Sequence, residues 1–480
     1  MKKNKIIKRL KENNNIQIYD LIIFSIVFVV FVISLLSFFP AILTSDCVDQ
    51  INQAMTNNYC SSHPIIHSFI IGNLAKLGGT WVPALFQINV FAFIWTYACK
   101  SLRKYNQSNL NKAFQIVFTT IICIIPLNYM YSITLWKDIL YSYAILLLLI
   151  LIFIGIKESF KYTNIQMILI AISSVSIMMF RKNGLPIGLL MFLMILILNF
   201  IKNRDKKDLI KMISSFVLLI IIMKIPELVV NNVGGNDGNV LNSTKIFCFG
   251  ALLNDGIEIE EEEKEFLNTI LDLNEWKEKF NPYNGTPILF SNNINNDTLK
   301  NIENEKRFNE IFIKYALQRK KVVANHFVKI NSIWWSIKEL GGMNSIVLSN
   351  EWISEMSNGI YDNKPIIENK IMLNLANFTL SKKILYVMLY RPALAMYISI
   401  VIGAIIIIKG WKNNEKEYIL LIFPMILNIG TYIILISSQD HRYFYPSHLT
   451  EYFLILIFIS SITENIERKG KIKLEKNEKI

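Results

Sequence analysis

The chain has 480 residues, of which 52% are hydrophobic, and a formal net charge of +13 at pH 7. So many apolar residues, gathered into runs of about 17–25 that match the thickness of a bilayer core, exclude an ordinary soluble protein. The positive charge would suggest nucleic acid as a partner of a soluble protein. Here it lies in short segments beside apolar runs, where the positive-inside rule explains it with no nucleic acid.

The apolar runs predict an all-α integral membrane protein: a bundle of about ten transmembrane helices with a juxtamembrane first outer loop and a helical outer domain. The first run follows a long basic leader and has no small-residue cleavage site after it, so we expect an uncleaved helix. In chain order the predicted helices are Asp20–Leu43, Thr80–Cys99, Ala113–Tyr131, Ile139–Ile156, Ile165–Phe180, Leu185–Ile201, a seventh that ends near Pro226, Ile384–Ile408, Tyr418–Ser437 and Leu449–Ile462.

The charges of the short loops predict how these helices are oriented. Lys and Arg are concentrated in the N-terminal leader, the C-terminal tail and every second loop, which the positive-inside rule places in the cytoplasm. We therefore expect a multi-pass protein of the cell membrane with both termini cytoplasmic and residues 227–383 outside. The predicted divisions are an N-terminal bundle, 1–226, with its outer loop 44–79; an outer-face helical domain, 227–383; and C-terminal helices with a basic tail, 384–480.

The long polar segment 227–383 has a helical pattern. Phe308, Ile311, Phe312 and Tyr315 recur at helical spacing, which predicts one buried helix face. Acidic residues outnumber basic ones in this segment, in contrast to the rest of the chain. Both features favour a folded helical domain outside the membrane.

Two carboxylates lie just beyond the first predicted helix. Asp46 and Asp49 are three residues apart, so they share a face if the segment is helical. Such a pair can hold a divalent cation, Mg²⁺ or Mn²⁺, or act as a general base, whereas the plainer interpretation is a solvated loop with helix-capping acids. In the same loop Cys47 and Cys60 either form a disulfide, if the compartment is oxidising, or pack as free thiols.

Further ionisable residues lie at the predicted outer ends of later helices. They are Lys137, Asp138, Arg181, Lys182 and Arg442. Taken singly, each is explained as an interfacial anchor or a loop-packing side chain. Taken together, they indicate a site for an anionic ligand, because cations outside run against the positive-inside trend and Arg donates two hydrogen bonds to a phosphate.

The chain carries five short motifs: Asp46 with Gln50, His63-Pro64, Trp136–Asp138, Arg181–Gly184, and Arg442-Tyr443 near Pro446. Its layout, a basic N-terminus, one helix and an outer first loop with acidic residues, resembles that of the GT-C-fold membrane glycosyltransferases, which include protein O-mannosyltransferases and oligosaccharyltransferases. Within that group the five motifs are similar to those of a family of uncharacterised bacterial membrane proteins. The resemblance covers most of the chain.

The resemblance implies a donor, a sugar on a polyprenyl phosphate, and transfer with inversion to a cell-surface glycan, lipid or protein at the outer face. The catalytic residues that it implies are Asp46, Asp49 and Asp138, with Asp46 and Asp49 also as ligands of a divalent cation. The donor phosphate would be bound by Arg442, Lys182, Arg181 and Lys137. The substrate would also contact His63, Gln50 and Tyr443.

Several alternatives remain open at this point. Related enzymes often have adjacent acids in the first loop, whereas Asp46 and Asp49 are separated, so either can be the catalytic one. A polymerase or ligase of surface polysaccharide would use the same outer cations. A transporter or flippase of lipid-linked sugar would need ionisable groups near the membrane midplane, where this sequence has few, with Lys224 as the main exception. A non-catalytic scaffold would leave the outer acids and cations far apart.

Overall fold

A computed structural model describes residues 2–60, 63–230, 233–234, 240–341 and 364–477. These residues are overwhelmingly helical, and the strands among them are one short parallel pair, β1 (Tyr59–Cys60) and β2 (Val233–Gly234). The predicted all-α class is therefore confirmed for the described part of the chain.

The described helices fall into three groups along the chain. The first group is α1 (Lys2–Ser37), α2 (Ser45–Thr56), α3 (Ile65–Gly78), α4 (Trp81–Tyr105), α5 (Asn109–Ile124), α6 (Pro126–Ser132), α7 (Lys137–Lys157), α8 (Asn164–Phe180), α9 (Gly184–Asn203) and α10 (Lys206–Val229). The second is α11 (Val240–Asn254), α12 (Glu261–Asn268), α13 (Leu273–Glu278), α14 (Thr286–Leu289), α15 (Ile302–Gln318), α16 (Lys320–Ile330) and α17 (Ser332–Trp335). The third is α18 (Lys370–Ser381), α19 (Lys383–Tyr390), α20 (Pro392–Lys412), α21 (Phe423–Leu435) and α22 (Tyr445–Asn477). Short 3₁₀ helices span Asn296–Lys300, Lys416–Leu421 and His441–Phe444.

Within the described residues, 7 helices are long and apolar enough to cross a membrane, or up to 8 if a bent pair counts as one span. The seven spans are Ile18–Ser37, Trp81–Tyr105, Lys137–Lys157, Gly184–Asn203, Lys206–Val229, Pro392–Lys412 and His441–Glu467. The bent pair is α5 with α6, which meet at 73°. The chain is thus an all-α multi-pass membrane protein, but the predicted count of about ten is not reached by these criteria.

Prolines account for most of the shortened helices. The first span ends at Ser37, before Pro40, rather than at Leu43. Pro126, Pro392 and Pro424 each stand in the first turn of a new helix and divide a run predicted to be one span. Proline has no N–H to donate and disfavours a helical conformation in the residue before it, so an apolar run breaks there.

Helix α7 lies at the centre of the transmembrane bundle. Every residue of its membrane-spanning window is buried, and the helix contacts α4, α8 and α22. Helix α10 is the opposite case, because exposed apolar side chains such as Leu218 and Ile221 cover most of its surface. We expect α10 to face lipid, while Asp138 lies in the first turn of the buried helix α7.

A second hydrophobic core is formed by α11–α17. It contains Phe249, Trp276 and Phe308, and the predicted stripe on α15 contributes Ile311 and Tyr315 to it. Side chains of α21 belong to the same core, so the second core is packed against the membrane bundle. The predicted helical character of this segment is confirmed for its described residues, whereas its position outside the membrane stays a prediction.

Hydrogen bonds join the second core to the last turns of α21 and to the segment that follows it. Asn331 donates through Nδ2 to the carbonyl of Ile433 at 3.0 Å. Gln439 donates through Nε2 to the carbonyl of Lys329 at 3.2 Å and to Ser332 Oγ at 2.7 Å. Hydrogen bonds to the second core therefore fix the position of the segment between α21 and α22.

The orientation of the helices can be measured with single cysteines. We expect Asn293→Cys to be labelled by a membrane-impermeant maleimide in intact cells, and Gln107→Cys only after the membrane is opened, because the basic loops predict opposite sides. Gln107 is exposed, whereas the neighbouring Asn106 is buried and bonds Ser460, so Gln107 is the safer position. Protection of position 293 in intact cells would contradict the predicted orientation.

Candidate functional site

Five charged side chains from distant parts of the chain meet at one end of the membrane bundle. Asp46 lies in the first turn of α2, Asp138 in the first turn of α7, and Arg181 directly follows α8. Asp440 and Arg442 lie at the start of the 3₁₀ helix that leads into α22. The ends of four helical segments thus form one cluster of three carboxylates and two guanidinium groups.

Local structure explains why these residues come together. The indole Nε1 of Trp136 donates to Thr44 Oγ1 at 2.7 Å, which ties the residue before α7 to the residue before α2. A backbone bridge between Ile42 and Thr134 supports the same contact. At the start of α8, Thr163 and Gln166 form a capping box that fixes where the helix begins, and Arg181 is the first residue after its end at Phe180.

Arg442 is the most heavily bonded member of the cluster. Its Nη1 donates to Asp46 Oδ2 at 2.7 Å, and its Nε donates to Asp440 Oδ2 at 2.9 Å. Its Nε also lies 3.9 Å from Asp138 Oδ2, and the guanidinium stands 5.0 Å from the ring of Trp136. Three acids therefore compete for one cation that is largely buried.

Asp138 has no solvent exposure and forms an ion pair with Arg181. Its place in the first turn of α7 also puts it near the positive end of that helix dipole. Arg181 in turn donates through Nε to Asn183 Oδ1 at 3.1 Å, and its guanidinium lies 4.6 Å from the ring of Tyr443. Both the Arg181 guanidinium and the helix dipole therefore place positive charge beside the buried carboxylate.

A second chain of contacts joins Asp49, His63 and Lys137. Lys137 Nζ lies 2.9 Å from His63 Nδ1, and His63 Nε2 lies 3.1 Å from Asp49 Oδ2. Burial first, and then the Lys137 cation, lower the pKa of His63 to about 4, so the imidazole is neutral near pH 7. Because an ammonium group only donates, Nδ1 is assigned as the acceptor and Nε2 as the donor to Asp49.

Asp46 is an anion of low basicity in this arrangement. Burial alone raises the pKa of its carboxyl, but Arg442, Lys137 and His63 together outweigh that effect and hold the pKa well below its usual range. As long as Arg442 keeps its hydrogen bond, Asp46 is a poor proton acceptor. Any role as a general base therefore requires that this bond be loosened.

A cavity of ≈ 270 Å³ opens beside the cluster. Three of the side chains that line it are cationic, and Tyr432 and Tyr443 form an aromatic part of the wall. The cationic residues are Lys137, Arg181 and Lys182. Since no carboxylate occurs among the described lining residues, the cavity favours an anionic group such as a phosphate.

Most of the predicted site residues are brought together. Asp46, Asp138, Arg181 and Arg442 are in the charged cluster, while the others are beside it or line the cavity. The residues beside it are Asp49, His63, Lys137, Lys182 and Tyr443. Gln50 differs, since its side chain is buried and its Nε2 has no hydrogen-bond partner among the described residues.

The two first-loop acids have different partners and do not act as a pair, and the two thiols of the same loop are separate. Asp46 pairs with Arg442, whereas Asp49 accepts from Gln53 Nε2 at 2.7 Å and contacts His63. No disulfide joins Cys47 to Cys60 in the described structure: Cys47 Sγ lies 3.4 Å from Thr44 Oγ1, and Cys60 Sγ accepts from Gln53 Nε2 at 3.1 Å.

The surroundings of Asp46 do not favour the divalent cation that Asp46 and Asp49 could hold. The charges nearest Asp46 are the cations Arg442 and Lys137, which would repel a metal ion. Within the described residues, moreover, no group of three or more His, Cys, Asp or Glu side chains converges as a metal site.

Sequence reasoning missed two features of this region. Asp440 bonds Arg442 from two positions away, a spacing visible in the sequence itself. A buried row inside the membrane span His441–Glu467 was also overlooked. The rings of His441 and His448 stack at 5.2 Å, and His448 Nδ1 lies 3.8 Å from Glu451. Tyr131, from α6, places its hydroxyl 3.0 Å from His441 Nδ1.

Comparison with known proteins identifies one family. A family of unknown function, DUF6020, matches residues 49–472. No curated protein and no solved structure matches the chain significantly. The match takes in the second first-loop acid, α7, the second core and Arg442, and by this extent the chain belongs to the DUF6020 family.

Proposed function

We propose that this protein is a membrane glycosyltransferase that moves a sugar from a polyprenyl-phosphate donor to an acceptor at the outer face of the cell membrane. The observation that carries the proposal is the cation-lined cavity directly beside buried carboxylates at one end of the bundle. A lipid-linked donor would reach this site from the bilayer with its phosphate at the membrane boundary. The acceptor would be a cell-surface glycan, lipid or protein.

The donor phosphate has a natural place in the cavity. Lys137, Arg181 and Lys182 supply positive charge, and the neighbouring Arg442 supplies a planar fork of donors. The guanidinium carbon of Arg442 lies 5.5 Å from the centre of the Tyr443 ring. This cation–π contact helps to fix the orientation of the guanidinium group. These groups would stabilise the phosphate as negative charge develops on it in the transition state.

The same geometry links donor binding to activation of the base. A phosphate that takes hydrogen bonds from Arg442 competes with Asp46, which now accepts one of them. Once released, Asp46 loses the nearest cation that depresses its basicity, and it can accept the proton of the acceptor hydroxyl. The acceptor oxygen then bonds to the anomeric carbon from the opposite side, the bond to the phosphate oxygen breaks, and the configuration is inverted.

Substitution of Arg442 tests the proposed phosphate contact. We expect Arg442→Ala to raise the KM for a polyprenyl-phosphate sugar by about 10- to 100-fold, because charge-assisted hydrogen bonds are lost. Arg442→Lys should restore only part of this, since Lys lacks the planar fork. The measurement is transfer of radiolabelled sugar by the purified protein at varied donor and acceptor concentrations.

A matched variant separates this effect from a general loss of charge. Arg307 is half exposed and pairs with Glu262 in the second core at 2.9 Å, so Arg307→Ala should leave both KM values unchanged. Unaltered donor kinetics in Arg442→Ala would contradict the role of Arg442. Products of increasing length in the wild-type reaction would favour the polymerase alternative instead.

A second candidate function is a transporter or flippase of lipid-linked saccharide. The buried row of His441, His448 and Glu451 favours it, because ionisable groups inside a membrane span often carry protons in transporters. The glycosyltransferase proposal does not need this row.

Glu451→Gln distinguishes the two candidates. In proteoliposomes we expect the variant to keep sugar transfer, because Gln preserves the shape of Glu and the donor site is elsewhere. A proton-coupled transporter would lose translocation of a fluorescent lipid-linked saccharide in the same variant. If Glu451→Gln loses translocation of the lipid-linked saccharide and the wild type shows no sugar transfer, the transporter function is favoured over the glycosyltransferase.

A further inference from the structure

A separate cavity of ≈ 260 Å³ lies in the second core, between α11, the segment after α13, and α16. Phe280 and Pro282 form an apolar side, while Asn254, Asp255 and His326 are among its polar lining residues. An apolar wall opposite a few fixed polar groups is the usual build of a small-molecule site. None of these residues belongs to the charged cluster described above.

His326 is the unusual member of this lining. It is only 3% exposed, and neither ring nitrogen has a hydrogen-bond partner among the described residues. Its ring packs against Phe247 at 4.5 Å and Phe327 at 5.4 Å, so aromatic neighbours fix its position. Leaving a buried polar group without a partner is costly, so this imidazole is suited to a ligand that supplies the missing bonds.

The imidazole offers one donor and one acceptor. Burial, followed by the nearby Lys329, lowers the pKa of His326 to about 4, so the ring is neutral near pH 7. A hydroxyl group is both donor and acceptor and matches a neutral imidazole in either orientation. Asn254 adds an amide with the same dual capacity.

We propose that this cavity binds one neutral sugar ring. The two charged lining residues, Asp255 and Lys329, have opposite signs, so the lining does not select for net charge on the ligand. The volume is below the range of about 300–1,000 Å³ common for drug-sized ligands, which suits a single ring. The apolar face of such a ring would lie on Phe280 and Pro282, with its hydroxyls toward Asn254 and His326.

One hydrogen bond from the Gln439 side chain connects the cavity to the segment that carries the charged cluster. Lys329, a lining residue in the last turn of α16, accepts a hydrogen bond from Gln439 at its carbonyl. Gln439 directly precedes Asp440, which bonds Arg442. A bound sugar is therefore placed to influence the cluster, but the binding itself does not depend on the proposed glycosyltransferase activity.

Saturation-transfer NMR with the full chain in lipid nanodiscs tests this proposal. The probe is a mixture of D-glucose, D-galactose, D-mannose and N-acetyl-D-glucosamine, and sugar-based detergents are removed first because they would compete. We expect saturation transfer to at least one sugar by the wild type and a loss of about tenfold or more in affinity for His326→Phe. This variant should keep its thermal stability, since Phe suits the aromatic surroundings of position 326.

Two further variants complete the test. Asn254→Leu changes an exposed residue of the cavity lining and should also weaken sugar binding. Asp297→Asn changes an exposed residue on the surface of the same helical region but outside the cavity, and it should leave sugar binding unchanged. If the wild type shows no NMR saturation transfer to any of the four sugars, the proposal is overturned. Equal saturation transfer by the wild type and both cavity variants overturns it as well, because the sugar would then bind elsewhere.

Discussion

Asp46→Asn is expected to lower the kcat of sugar transfer by about 100- to 10,000-fold, the usual cost of losing a general base. The substitution is nearly isosteric and removes the negative charge, and with it the ability to take a proton. Because it also removes the competitor for Arg442, the KM for the donor should stay the same or fall. This combination, a lower kcat with undiminished donor binding, distinguishes a base from a residue that merely holds the fold.

Asp49→Asn is the matched variant for Asp46→Asn. The side chain of Asp49 is 53% exposed and contacts His63 and Gln53 rather than Arg442. We therefore expect a smaller loss of activity, through a shifted His63. If Asp49→Asn abolishes transfer and Asp46→Asn does not, the two roles are exchanged. If the double variant remains fully active, the glycosyltransferase proposal fails.

Asp138→Asn should destabilise the protein by about 3–5 kcal/mol, the cost typical of removing one partner from a buried ion pair. Asp138 is fully buried between Arg181 and Arg442, so its neutralisation leaves two guanidinium groups with one carboxylate fewer. The expected readout is a lower unfolding temperature of the purified protein in detergent. Removing both charges in Asp138→Asn/Arg181→Gln should recover part of the loss, because no unpaired Arg181 remains.

Asp297→Asn provides the control for this stability measurement. Asp297 is 80% exposed and pairs with Lys300, so its loss should change stability by less than about 1 kcal/mol. Equal unfolding temperatures for Asp138→Asn and the wild type would mean that the Arg181 pair contributes nothing to the fold.

The positions of the helices follow from the sequence more closely than their ends do. Each apolar run predicted as a span corresponds to a described helix or a pair of helices, because hydropathy averages over many residues. The errors are local and coincide with proline. The run ending at Tyr131 bends at Pro126, and the run beginning at Ile384 breaks at Pro392. A mean over a window cannot register one missing backbone donor.

Membership of the candidate site was also easier to predict than its pairings. Asp46, Asp138, Arg181 and Arg442 stood out because charges at the predicted outer ends of the membrane helices are few. Which acid meets which cation depends on how α2, α7, α8 and α22 pack, and local spacing does not contain that information. Asp440 is the exception, since its bond to Arg442 spans only two residues. The buried Glu451 was missed because one charge hardly changes the hydropathy of a long helix.

The distance along the chain between Asp46 and Arg442, 396 residues, has a consequence for biosynthesis. At typical synthesis rates, roughly 20–80 s separate the appearance of the two partners at the ribosome. During that interval the first-loop acid and Asp138 exist without the guanidinium that later joins them. A ribosome that stops before Asp440 therefore releases a chain without a complete charged cluster. Synthesis of the segment between α21 and α22 is the event that supplies the missing guanidinium in each newly made molecule.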